Sequence, residues 1–125
     1  MIANSRSDKI FTYRFIGIDS NVQLELMNVS NQTVKSIDIL TIFLKDESLS
    51  GGPSQVHIRF KTVECIQALK NHVLPHTTWI DGKPVGSDRD QLGRLKDISG
   101  APYVLDISWQ DTEGKTRFQR IPLGH

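Results

Sequence analysis

The segment from Tyr103 to Ile121 constrains the fold most. Tyr103, Leu105, Ile107 and Trp109 recur at every second position, and because successive side chains of a strand point to opposite faces, all four fall on one face of an extended strand. Asp111 to Lys115 follows as a turn, with Gly114 able to take a positive φ, and Thr116 to Ile121 reads as the returning strand. This closing hairpin, from Ala101 to Pro122, is the piece around which the remaining chain is expected to be built.

The same period of two runs through the first half. Phe11, Tyr13 and Phe15 share a face with Arg14 on the other, and Gly17 and Asp19-Ser20 end the run. Val22, Leu24 and Leu26 alternate with Gln23 and Glu25 until Asn28 to Thr33 supplies turn residues that satisfy their own backbone. Ile37 to Leu44 is nearly continuous apolar and reads as one central strand buried on both faces. After a polar loop, Glu47 to Ser54 with Gly51-Gly52-Pro53, Val56, Ile58 and Phe60 alternate with His57, Arg59 and Lys61.

Thr62 to Ile80 admits two readings. Val63, Ile66, Leu69 and Val73 suit a short amphipathic helix, but strands are preferred, with a turn at Lys70-Asn71-His72 and a further strand from Val73 to Ile80 ended by Asp81-Gly82. Gly86 to Gly100 is a hydrophilic connection in which Asp88 or Asp90 caps a single helical turn carrying Leu92 and Leu95.

About seven short strands with polar turns predict an all-β, two-sheet antiparallel sandwich with room for one short helix. Residues 1–8 read as a flexible N-terminal segment and 9–125 as a single domain, a size that buries a core without covalent staples. The run from Val22 through Asn28 and Ser30 to Val34 resembles the second strand and turn of bacterial immunoglobulin-like and fibronectin-like modules. Tyr103-Val104-Leu105 is similar to the Tyr-x-Cys step of the penultimate strand in immunoglobulin domains. Leu105 stands where those domains carry a disulfide cysteine, and the third strand lacks their tryptophan. The resemblance implies an immunoglobulin-like fold and carries no function with it.

Charge and cysteine use narrow the partners and the compartment. Fifteen basic against fourteen acidic residues leave a net charge of +1, so no global field draws the chain to nucleic acid or an anionic membrane. A lone cysteine, Cys65, and a polar start without a signal-like apolar stretch lead to a cytoplasmic expectation. Asn28-Val29-Ser30 and Asn31-Gln32-Thr33 match the glycosylation pattern but read as turn residues.

No residue set forces a chemistry. His72 and His76, four apart, would face one way on a helix, but in a strand they lie about 13 Å apart, too far for one metal ion. With His57 and His125 they read as surface and turn histidines. Cys65 reads as a small buried apolar residue rather than a nucleophile, and the aspartates as caps and turn formers. Neither cofactor, metal nor catalytic residue is expected.

Trp109 is core by its phase, whereas Trp79, beside a turn, is the surface candidate. With Arg117, Gln119 and Arg120 on the last strand and Arg59 and Lys61 on the fourth, a polar sheet face could meet an acidic partner. The expectation is a non-enzymatic binding or accessory module that offers a sheet face or edge strand to a protein partner or a second copy, using Trp79, Asp81, Lys83, Arg117 and Arg120. The alternatives are a small-ligand or carbohydrate module built on Trp79, Asp81, Lys83 and Asp88, and a metal-dependent or thiol enzyme.

Overall fold

The computed structural model describes residues 9–18, 21–44, 55–97 and 103–123. Residues 1–8, Asp19-Ser20, the loop Glu47 to Ser54, Gly100, Ala101 and His125 lie outside the described residues.

The alternating runs become antiparallel strands, eleven among the described residues, in three sheets. The first sheet has the order β1 (Phe11–Ile16), β2 (Gln23–Asn28), β7 (Asn71–Leu74). The second runs β11 (Thr116–Pro122), β10 (Val104–Gln110), β3 (Val34–Ile39), β6 (Val63–Ile66). The third runs β4 (Ile42–Leu44), β5 (Val56–Phe60), β8 (His76–Ile80), β9 (Lys83–Pro84). A 3-10 turn (Ser87–Arg89) and one short helix, α1 (Gly93–Asp97), complete the all-β architecture. No helix among the described residues is long and apolar enough to cross a membrane.

Two predicted strands are each divided between sheets, and with the short β6 and the two-residue β9 this carries the count past the expected seven. Ile37 to Leu44 is not one strand buried on both faces. The chain leaves β3 after Ile39, Leu40 N–H still donates to the Asp106 carbonyl of β10, and Ile42 then pairs with Ile58 of the third sheet. Leu40 and Phe43 are exposed by 64% and 67%. The predicted strand from Val73 to Ile80 divides at Pro75, which has no N–H to give to a ladder; Leu74 pairs with Leu24 and His76 with Phe60. The preceding turn lies earlier than expected, with Lys70 N–H donating to the Gln67 carbonyl, and Thr62 to Ile80 contains strands and no helix.

A bulge sets the phase of β3. Ser36 sits at φ 54°, where the register against β10 shifts, so the buried positions become Val34, Ile37 and Ile39 rather than a simple alternation.

The closing hairpin forms as the sequence predicts. β10 pairs with β11 from Val104↔Pro122 to Gln110↔Thr116, Gly114 takes φ 80°, and Leu105, Ile107 and Trp109 are buried. Trp109 meets Phe11 edge-to-face at 5.0 Å, joining the second sheet to the first. Gln119, expected on an outer polar face, is instead buried opposite Ile107: its Nε2 donates to Phe11 O at 2.9 Å and its Oε1 accepts from Ile10 and Phe11 N–H at 3.1 and 3.0 Å. Phe118 takes the outward position.

Asn28 is a second internal tie, 1% exposed. Its Nδ2 donates to Gln32 O at 2.8 Å and reaches Ile66 O and Gln67 O at 3.2 Å, while its Oδ1 accepts from Ser30 N–H and Oγ. A side chain so enclosed is a structural clasp rather than a glycan acceptor.

Trp109→Ala should cost about 3 to 5 kcal/mol, as large-to-small changes at fully buried aromatics do, and Trp79→Ala clearly less. Urea midpoints compared at equal slope test this; the reverse order would invert the core and surface assignments.

Candidate functional site

Trp79, Asp81 and Lys83 gather at the β8–β9 hairpin, but their functional groups do not converge. Asp81 and Gly82, at φ 51° and 82°, form the two-residue turn between Ile80 and its partner Lys83. Asp81 is occupied there: Oδ1 accepts from Gln55 N–H at 3.0 Å and its own N–H donates to Gln55 O at 2.8 Å. Lys83 is exposed opposite Ile80, and Trp79 faces the other way, opposite Pro84. Asp88 is exposed in the 3-10 turn.

Arg117 and Arg120 lie on a different sheet and do not form one patch. Three positions apart on β11, they fall on opposite faces, and each is neutralised locally. Arg117 Nε donates to Asp111 Oδ2 at 2.9 Å, and Arg120 donates through Nε and Nη2 to the two Asp106 oxygens at 2.7 and 3.1 Å. Burial alone would push the Asp111 carboxyl up, but the bonds from Arg117 and from the Lys115 and Glu113 N–H groups hold it below the ordinary range.

What sequence reading missed is a row across the outer face of the third sheet. Register places Phe43, His57, Trp79 and Pro84 side by side on β4, β5, β8 and β9. Phe43 stacks on His57 with centroids 5.2 Å apart and planes 15° from parallel, and Trp79 follows at 6.1 Å. Arg59 lies over Trp79, its guanidinium carbon 4.2 Å from the ring centroid, and its Nε donates to His57 Nδ1 at 3.3 Å. That bond requires His57 Nδ1 to be unprotonated. Burial first, and the Arg59 charge second, hold the imidazole below its usual range. His57, expected at the surface, is thus enclosed by its neighbours, with Phe43 still largely open. Alternation at 57 and 59 was the available signal; the pairing of Phe43 with His57 was not, because residues 37–44 read as one buried strand.

A second polar cluster joins β8 to the helical insert. Asp90 Oδ2 bonds His76 Nε2 at 2.7 Å, and Oδ1 accepts from Thr78 Oγ1 at 2.5 Å and Leu92 N–H at 3.1 Å. Thr78 Oγ1 also accepts from Gln91 N–H at 3.0 Å. Of the two predicted caps, Asp90 ends the 3-10 turn and its carboxylate takes the Leu92 N–H just ahead of α1, where Leu92 and Leu95 enter the core. The cluster borders a hollow of about 370 Å³ that Asn21, Gln23 and Ser87 also line. Both carboxylate oxygens are spent on the latch, so its chemistry is structural.

His72 and His76 lie in different sheets on either side of Pro75, and His57 sits in the aromatic row. Among the described residues no three His, Cys, Asp or Glu side chains gather as metal ligands would. Cys65 is exposed rather than buried, since Val63 and Ile66 take the core positions of β6.

Burial favours the protonated Asp90 carboxyl, but the bonds from Thr78, His76 and Leu92 outweigh it and hold the carboxyl below the usual range. Its stabilisation is therefore complete above the unfolded-chain value of about 3.9 and is lost as pH falls through the lower folded value. Asp90→Asn should cost about 1 to 3 kcal/mol at neutral pH, and urea melts should show the gap from wild type closing in acid. The His57 ring protons, followed by NMR against pH, should titrate below about 6.5; Arg59→Gln should move that midpoint only part of the way back, because burial is the larger cause. Comparison with protein-family models, curated proteins and solved structures finds no match to this chain, which leaves the residues of this outer face to carry the functional reading.

Proposed function

We propose that the chain is a non-enzymatic binding module of the immunoglobulin-like sandwich kind, which docks a protein partner on the outer face of its third sheet. The observation that carries this is the ordered row Phe43, His57, Trp79 and Pro84 with Arg59 held across it. Trp and Arg in well-packed positions, with an open aromatic beside them, are the residue types that dominate binding energy at protein interfaces. His57, Trp79 and Arg59 are already in contact with one another, which limits the side-chain freedom lost on docking.

The carbohydrate alternative draws less support. Arg59 covers a face of Trp79 that a sugar ring would stack on, Asp81 is engaged by Gln55, and Lys83 points away from the indole. Light scattering on a sizing column tests for a second copy as the partner, and quantitative capture from native lysate tests for another protein. A species bound by wild type, lost with Phe43→Ala plus Arg59→Ala and kept with Phe118→Ala on the second sheet, is the expected result. A monomer that captures nothing, or capture indifferent to the double variant, would sink the reading.

A further inference from the structure

We infer that the outer face of the third sheet recognises an acidic peptide segment, Arg59 taking a side-chain carboxylate and Phe43 an apolar residue beside it. The inference rests on the docking reading above and names the chemistry of the partner.

Arginine usage separates this sheet from the other two. Four arginines lie on the described strands, and three of them give Nε to a carboxylate: Arg14 to Glu25, Arg117 to Asp111 and Arg120 to Asp106. Arg59 gives its Nε to an imidazole nitrogen. The strands β4, β5, β8 and β9 contain neither Asp nor Glu, whereas the first sheet carries Glu25 and the second Asp38, Glu64 and Asp106. Among the described residues, Asp81 and Asp90 at the margins of the third sheet are committed to Gln55 and to the His76 and Thr78 latch. Among the described residues Arg59 is thus an exposed cation to which the strands of its sheet supply no counter-charge, and exposed Lys61 follows two residues on.

The way Arg59 is held suits it to a carboxylate. With Nε on His57 and one guanidinium face on Trp79, the two terminal nitrogens remain as a fixed fork, the geometry that matches both oxygens of a carboxylate. Phe43 stands opposite His57, which precedes Arg59 by two residues on β5, so Phe43 and Arg59 are diagonal neighbours, about 7 Å apart along the strands and one strand spacing of about 4.8 Å across them. Beside Phe43 lies a hollow of about 150 Å³ lined by Leu40, Tyr103 and Val104 and also by Thr41 and Asp106, whose carboxylate is already bound by Arg120. An extended peptide repeats its facing side chains every two residues, about 7 Å, so a segment crossing this diagonal should carry an acidic and an apolar residue about two to four positions apart.

The test pans a random-peptide display library against the full-length protein and measures the affinity of the best peptide by fluorescence polarisation. The expected peptides pair Asp or Glu with a nearby aromatic or aliphatic residue. Arg59→Gln should weaken binding about tenfold or more, and Arg120→Gln, which removes an internally paired arginine, should not. Replacing the peptide's acid by its amide should lose as much with the protein unaltered, a readout that no folding defect can mimic. Enrichment of purely apolar peptides that need Phe43 but not Arg59 would overturn this inference and leave the docking reading standing. No enrichment, or binding indifferent to both Phe43→Ala and Arg59→Gln, would overturn both.

Discussion

At Pro75 the chain has no N–H to offer, and at Leu40-Thr41 it leaves β10 for β5; both breaks move a strand out of one sheet and into the third. β4 and β8 flank β5 because of these two transfers. Their arrival puts Phe43 on one side of His57 and Trp79 on the other, and without either transfer the aromatic row would not exist. The same transfers turn Ile42, Leu44 and Thr78 inward, so one constraint on backbone pairing fills the core and builds the face above it. Backbone groups must be paired, and a strand that stops pairing in one sheet is stable only if another receives it.

Three polar side chains, Asn28 and Gln119 buried and Asp90 half-buried, hold the pieces in register. Asn28 ties the end of β2 to the turn after β6, Gln119 ties β11 to the start of β1, and Asp90 ties the helical insert to β8. Each makes several hydrogen bonds, as a polar group withdrawn from water must if it is not to cost stability. All three are side chain–backbone or side chain–side chain links between segments distant in sequence. They do for tertiary alignment what the ladders do within each sheet.

The electrostatics of the surface follow from where carboxylates fall. On the first and second sheets an arginine meets an acid across or near its own strand, and the pairs are locally closed. Exposed pairs of this kind add little stability, but they leave no charge seeking a partner. On the third sheet the corresponding nitrogen is occupied by a histidine held neutral by its surroundings. The difference concerns one side chain, Arg59, and it sets the outer face of the third sheet apart from the other two; the docking proposal rests on it.

The strict alternation at 11–15, 22–26, 56–60 and 103–109 determined by itself the all-β class, the closing hairpin and the core positions of Leu105, Ile107 and Trp109, because a period of two admits one burial pattern in a strand. The turns at Asn28 to Thr33, Asp81-Gly82 and Asp111 to Lys115 were legible for the same local reason, as was the cap before Leu92. Where a strand changes sheets was not legible at Leu40-Thr41, since an apolar run looks the same whether one sheet or two receive it. The bulge at Ser36 left no local signal, and Gln119 misled because a bond to a distant backbone sets its burial against its polarity. Trp79 was picked out from its turn, but its neighbours Phe43, His57 and Arg59 come together only through cross-strand register, and that Arg59 meets no carboxylate on the described strands of its sheet is a property of the assembled sheet. Tertiary structure decided these matters because partners across a sheet are chosen by pairing between distant segments, which no local pattern encodes.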